Sequence, residues 1–325
     1  MHVTLLLPAL AHFRGVCGVL AQWVARGDRI DAVASGRDAT LRKCFQFIGT
    51  TIPVAALTRS LEVSDGDDAQ WLRCDPAHVI ADAVTLRLLA CGDLGLSPAE
   101  AEQLAQPLRP LFGDAGFPLD IARPDRWYLR CAREAKLPKF STPDDALGDD
   151  LARHMPEGDN AARWRGLLNE AQIVLTQHPV NARRIQRGLP PVNSLWLWGA
   201  GVLPQWVKSE FSRVFSDDET VAALAGRAGV PHRPLPTERL ATQVLNDAGT
   251  TRAGTNAGAG TAGVLVDLAQ RRDLVRDHSA WFAEIDAALR RRDIAALSLA
   301  FESGERIVVK PAHRWRIWRR VKPLA

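Results

Sequence analysis

Residues 178–201 read His178-Pro-Val-Asn181-Ala-Arg-Arg184-Ile-Gln-Arg187-Gly188-Leu-Pro-Pro191-Val-Asn193-Ser-Leu-Trp196-Leu-Trp198-Gly199-Ala-Gly201. The apolar run Ser194–Trp198 reads as a strand, and two glycines close it. Glycine there serves a backbone that needs positive φ or close approach to a neighbour. Before it, Ala161–Gln177 reads as a helix, with Trp164, Leu167, Leu168, Ala171, Val174 and Leu175 on one stripe. Between the two lies a polar loop whose density of His, Asn and Arg is unlike that of a core segment.

Outward from this stretch the chain alternates strands and helices. Val3–Leu7 is a β-branched and leucine run ending at Pro8, and Val16–Ala25 follows with helical spacing, stopped by Gly27. Strand, loop and helix at this end predict an α/β layer architecture, with ligands beyond the carboxyl ends of the strands. That locus is Pro8–Arg14, including His12. A second stretch opens at Gln70–Leu72, and Pro76–Ala90 reads as an amphipathic helix. Ser97-Pro98-Ala99-Glu100 is a helix start, with serine at the N-cap and proline at N1. Trp127–Cys131 reads as a strand, Ala283–Arg290 as a helix, and Arg306–Val321 as a β-hairpin, its apolar and basic residues alternating around Pro311.

The 325 residues, 46% apolar and 24% charged, are enough to bury about three quarters of the unfolded surface. They exclude a disordered or fibrous chain. A net charge of +4 is too small to imply a polyanionic partner by itself. The 41 basic residues are 35 Arg and 6 Lys, a skew that base composition explains as well as function does. No apolar run reaches the roughly 18–20 residues of a membrane span, and the start lacks the basic leader and cleavage site of a signal peptide. Cys17, Cys44, Cys74, Cys91 and Cys131 are odd in number and never spaced C-x-x-C, against a disulfide framework or zinc knuckle. A soluble, reduced, cytoplasmic protein with no membrane association is expected.

Several constellations have bland readings. Gly258–Gly263 spells G-x-G-x-x-G, but polar residues precede it where the phosphate-binding turn needs a strand, so a connector is expected. Asp65, Asp67 and Asp68 form a turn without the downstream Glu of a calcium loop, and Asp144-Asp145 and Asp149-Asp150 read as solvated. The run His313-Arg-Trp-Arg-Ile-Trp-Arg-Arg320 could stack bases and bind phosphates. Alternation, with Trp315 and Ile317 on one face, instead fits an edge hairpin packed on a core.

The 178–201 stretch resembles the H-P-V-N-x-x-R-x-x-x-G-x-x-P-A-N-x-I-W-x-W-G-x-G segment of archaeal-type cofactor-independent phosphoglycerate mutases, in the alkaline phosphatase superfamily. His178, Pro179, Val180, Asn181, Arg184, Gly188, Pro191, Asn193, Trp196, Trp198, Gly199 and Gly201 match, with Val192 in place of Ala. Weaker similarity runs through Trp71–Ala77 with His78, through Asp125-Arg126-Trp-Tyr-Leu and through Thr142-Pro143-Asp144. These cover about residues 60–205, the part that in such mutases forms the substrate-recognition domain. Elsewhere the chain departs from the pattern. Ala9 falls where the family has a metal-binding aspartate, and Arg37-Asp38-Ala39-Thr40 is the nearest counterpart of the nucleophile's S-D-x-A. The paired arginines expected after Arg73 and the late His/Asp ligand clusters have no counterparts. Two divalent ions serve that chemistry in the family. Asp273, Asp277, His278 and Asp286 read as solvated helical charges rather than a residual metal cluster. The core stretch together with the Arg/Trp run is also similar to RpfE-type regulatory proteins of Gram-negative bacteria, a resemblance that spans nearly the whole chain.

These resemblances imply a reduced alkaline-phosphatase-like α/β core split over residues 1–58 and 202–325, with an inserted α+β recognition domain over 59–201. They imply a phosphoglycerate-mutase-like regulatory protein, non-catalytic or weakly active, with degenerate metal sites and no cofactor. The alternatives are a mutase or phosphatase using an atypical set of Mn, Mg or Zn, and a nucleic-acid-binding regulator using the Arg/Trp run, though nucleic acid is not the expected partner. The expected site gathers Arg73, Asp75, His78, His178, Asn181, Arg184, Asn193 and Trp198 around a small phosphorylated or carboxylate ligand, at the seam between the domains. Arginine supplies a planar fork of donors for such a ligand, and asparagine orients it.

Overall fold

The computed structural model describes residues 1–63, 69–82, 85–236, 243–244, 263–271 and 278–324, with backbone alone at 278–280. The 258–262 part of the glycine motif, the Asp65–Asp68 turn, Asp273, Asp277 and the side chain of His278 lie outside them. The chain divides into two compact units, Met1–Gly49 with Gln205–Ala325, and Thr50–Pro204.

The first unit opens with β1 (His2–Leu7), α1 (Val19–Arg26), β2 (Asp28–Ile30) and α2 (Arg37–Cys44). The second holds α3 (Val54–Arg59), β3 (Gln70–Ala81), β4 (Leu86–Cys91), α4 (Pro98–Ala105), α5 (Leu108–Asp114), β5 (Leu119–Arg123), β6 (Arg126–Cys131), α6 (Pro143–Ala146), α7 (Ala161–Thr176), α8 (Pro179–Gln186) and β7 (Ser194–Val202). The chain then returns to the first unit with β8 (Phe211–Phe215), α9 (Glu219–Arg227), β9 (His232–Arg233), β10 (Gly263–Asp267), α10 (His278–Arg291), β11 (Ala296–Phe301) and β12 (Arg306–Val309).

The first unit is built on a seven-stranded sheet in the order β2-β12-β11-β1-β10-β8-β9. Strand β1 lies parallel to both β10 and β11, pairing Val3 with Val264 and with Leu297. Parallel central strands are covered on both faces and therefore read as continuous apolar runs. In β1 every residue from Val3 to Leu7 is buried. On one face Val3, Leu5 and Leu7 join Trp23 of α1 and Phe282 of α10, whose rings meet edge-on at 5.5 Å. This is the α/β class expected from the sequence.

The second unit carries a five-stranded antiparallel sheet centred on the twelve-residue β3, which pairs with β4, β6 and β7. Its apolar face, with Leu72, Trp127, Leu129 and Leu197, packs against α4, α5, α7 and α8.

Three expected elements take another form. Pro76–Ala90 is not a helix but the end of β3 and most of β4. The β-branched Val79, Ile80 and Thr85 suit a pleated, half-buried surface, and pairing overrides the helical spacing. The polar loop after Gln177 is mostly α8, with proline at N1 and His178 as N-cap. The hairpin is made by β11 and β12, pairing Leu297 with Val309, and not by 306–321. Pro311 lacks an N–H and its neighbour is held extended, so the chain leaves the sheet there into a 3-10 turn over Pro311–Trp315.

Candidate functional site

The eight residues expected to form one site all lie in the second unit, but the structure distributes them over three hydrogen-bonded groups. The first surrounds the start of α8. The Asn181 amide donates to the carbonyls of Leu175 and Val192, both at 2.7 Å, and accepts from Val192 N–H at 2.8 Å. The Arg184 side chain is wholly buried. It donates to the carbonyls of Leu94 at 2.6 Å and Pro190 at 3.0 Å and pairs with Glu100 at 3.3 Å. His178 Nδ1 accepts the N–H of Val180 as the N-cap of α8. Burial, then the charge of Arg183, pulls its pKa below the usual histidine value.

The second group closes an irregularity in β3, where the β3–β4 register shifts between His78 and Val79. The Asn193 amide donates to Val79 O and accepts from Val79 N–H, imitating a strand neighbour. His78 Nδ1 donates to Pro191 O at 2.9 Å. In the third group Arg73 and Asp75 form a buried bidentate pair at 2.8 and 2.9 Å. Trp198 Nε1 donates to Asp75 at 2.7 Å, and Arg73 reaches Thr58, whose hydroxyl also accepts from Tyr128. Burial pushes the Asp75 carboxyl above its usual range, against the opposing pull of Arg73. Neither guanidinium expected to grip an anion is uncommitted. Arg184 is spent on backbone carbonyls and Glu100, and the charge of Arg73 is cancelled by Asp75.

A different constellation lies in the first unit, at the carboxyl ends of the parallel strands. Arg37, the first residue of α2, donates to Asp218 at 2.5 and 3.1 Å and to Asp267 at 2.7 and 3.3 Å, with Glu302 at 3.6 Å. Asp218 follows β8, Asp267 ends β10, and Glu302 follows β11. Ser216 Oγ donates to Asp267 at 2.8 Å and accepts the N–H of Asp218. Asp218 also caps α9 through Thr220 N–H. Burial alone would lower the Arg37 pKa, but the carboxylates of Asp267 and Asp218 more than offset it and raise it. His12, at the locus expected from β1, is exposed on a 3-10 turn. Arg37 was legible as the counterpart of a serine, but its partners were not sought. Their signal is an acid at or just past the end of an apolar run, as in Val-Leu-Val-Asp267 and Val-Phe-Ser216-Asp-Asp218.

All five cysteines are free thiols. Burial pushes Cys44 and Cys131 up to about 12 and Cys74 and Cys91 well above the usual range, so these four offer no thiolate nucleophile near neutral pH. Asp286 accepts from Trp23 Nε1 and pairs with Arg290.

No family model matches the chain. Among curated proteins it is 43% identical over 154 residues to a probable 2,3-bisphosphoglycerate-independent phosphoglycerate mutase of Geobacter sulfurreducens, covering 47% of this chain and 38% of that protein. It is 29% identical over 109 residues to such a mutase of Methanothrix thermoacetophila, covering 34% of this chain and 27% of that one. The chain thus spans well under half the length of these relatives. Among solved structures, a cofactor-independent phosphoglycerate mutase of Thermoplasma acidophilum aligns with 95% of this chain and 89% of its own, at 17% identity and a TM-score of 0.42.

The relatives correct one expectation. They are mutases of the kind for which the resemblance implies divalent metal, so independence of a cofactor is not a property assigned to this chain. The described residues fit a metal centre poorly. No three His, Cys, Asp or Glu side chains among them gather as ligands, and Asp218 and Asp267 already face a guanidinium. No catalytic step is derived through such a centre. No helix among the described residues is long and apolar enough to cross a membrane.

Proposed function

We propose that this chain is a phosphoglycerate-mutase-like protein of the RpfE type, regulatory in use and without significant phosphoryl-transfer activity of its own. One observation carries this reading: Arg37 stands where the resemblance places the nucleophilic serine, with its guanidinium between Asp218 and Asp267. A guanidinium is protonated at all working pH values and has no lone pair to attack phosphorus. An incoming phosphoryl group would meet carboxylates whose positive partner is already engaged, and carboxylate repels it. A small phosphorylated or carboxylate ligand gripped by Arg73 and Arg184 is not part of the proposal, because both guanidiniums are committed internally. The enzyme alternative draws its support from the 43% identity to a probable mutase.

The test is mutase and phosphatase assay of the purified protein with 3-phosphoglycerate and p-nitrophenyl phosphate, with Mn²⁺, Mg²⁺ and Zn²⁺ each supplied. The expected result is no turnover above the protein-free rate under any metal. Metal-dependent turnover that survives repurification would overturn the proposal in favour of an enzyme.

A further inference from the structure

Residues 306–324 hold seven Lys or Arg and no Asp or Glu, a larger surplus than the +4 of the whole chain. After Pro311 this segment is pinned to the first unit along its length. Arg26 donates to Arg314 O and Arg316 to Arg26 O, both at 3.0 Å, and Arg316 also pairs with Asp28. Arg319 donates to Gly27 O at 2.7 Å, and Leu324 exchanges backbone bonds with Gly15 and Val16. The backbone is thus tied down, yet Trp315, Ile317 and Trp318 are 67%, 75% and 72% exposed. Two tryptophans held in water on a fixed segment are unlike the packed hairpin face that strand alternation suggested, and an exposed apolar cluster of this kind marks a contact surface.

Two cavities open against the segment. One, of about 290 Å³, is walled by Arg26, Arg290, Lys310, Arg314, Trp315 and Ile317. The other, of about 640 Å³, is walled by Arg29, Arg319, Arg320 and Lys322. The carboxylate in each is already paired, Asp286 with Arg290 and Asp28 with Arg316 and His313, so the surfaces left over are cationic. A fitting partner carries repeated negative charge that can enter recessed ground, together with flat apolar rings for the tryptophans. A bilayer face has the charge but cannot enter a cavity, and an acidic peptide has the charge without the rings. We propose that residues 311–322 and these two cavities form a binding surface for single-stranded nucleic acid, in which Trp315 and Trp318 stack on bases and the recessed cations meet phosphates.

The test is fluorescence anisotropy of a labelled single-stranded oligonucleotide titrated with the full chain at several salt concentrations. Binding is expected in low salt, with the logarithm of affinity falling by about 0.7 per neutralised phosphate for each logarithm of salt. Trp315→Ala with Trp318→Ala should weaken binding by roughly tenfold or more at unchanged salt slope. Arg314→Ala with Arg320→Ala should flatten that slope by about one. All four side chains are exposed, so melting temperatures should match the parent and report that the variants are folded. Absence of binding in low salt, affinity indifferent to both double variants, or preference for phosphatidylserine vesicles over the oligonucleotide would each overturn the proposal.

Discussion

Arg184 and Asn181 show how polar side chains that suggest ligand chemistry serve instead as internal connectors. Arg184 ties α8 to the carbonyls of Leu94 and Pro190 with its side chain wholly buried, so truncation leaves several acceptors unsatisfied. Arg184→Ala is expected to cost about 3 kcal/mol or more in urea unfolding. Arg184→Lys should recover only part of it, because an ammonium lacks the planar fork that reaches both carbonyls. His178 gives a pH signature. Its ring nitrogen accepts the N–H of Val180 only when unprotonated, and burial holds its pKa below the usual value of 6.5. The unfolded chain therefore takes up the proton first as pH falls. Stability from this group is complete above about pH 6.5 and is lost as pH drops through that value, levelling off below the folded midpoint. His178→Asn keeps a good N-cap acceptor and should shrink the stability loss between about pH 7 and pH 5, read from urea midpoints at each pH.

Two glycines of β7 carry the element-level design of the second unit. Gly199 has φ of +66°, and a Cβ there would stand 2.9 Å from Val54 Cβ. Gly201 has no such backbone demand, but a Cβ would stand 2.9 Å from Pro53 Cα. Close approach of α3 and its lead-in residue to the strand explains both. Gly201→Ala is expected to destabilise by about 1–3 kcal/mol, because backbone and not a flexible side chain must yield, a loss that thermal unfolding would show. These positions were legible, since two glycines closing an apolar run have few other physical uses. The capping box at Ser97 and Glu100 was legible for a similar reason, and both reciprocal bonds form. Pro76–Ala90 was not legible, because Ala and Leu at helical spacing hide a strand pair whose stability comes from distant partners. The end of the second strand at Val309 is marked by Pro311, but alternation continuing through Trp315 and Ile317 concealed it.

At the scale of the molecule, residues from both ends of the chain share one sheet, β1 pairing with β10 and β11. The carboxyl ends of β8, β10 and β11 thereby bring Asp218, Asp267 and Glu302 to Arg37 from positions 181, 230 and 265 residues away in sequence. Each residue alone is unremarked in the sequence, and only the parallel topology assembles them, which is why this cluster was not foreseen while the local motif around His178 was. Removing Arg37 leaves buried carboxylate without its cation, so Arg37→Ala should destabilise the protein by about 3 kcal/mol or more, measurable by urea unfolding.

The central claim is that a guanidinium in the nucleophile's place leaves this chain without phosphoryl-transfer activity. The most direct measurement is the rate of 3-phosphoglycerate conversion to 2-phosphoglycerate, followed by phosphorus NMR beside the Methanothrix thermoacetophila mutase under identical Mn²⁺, Mg²⁺ and Zn²⁺ conditions. The account predicts a rate at least about 10⁴-fold below that relative, the scale of losing a nucleophile. A rate within about tenfold of the relative under any of the three metals would contradict it, because no lost nucleophile leaves so small a deficit.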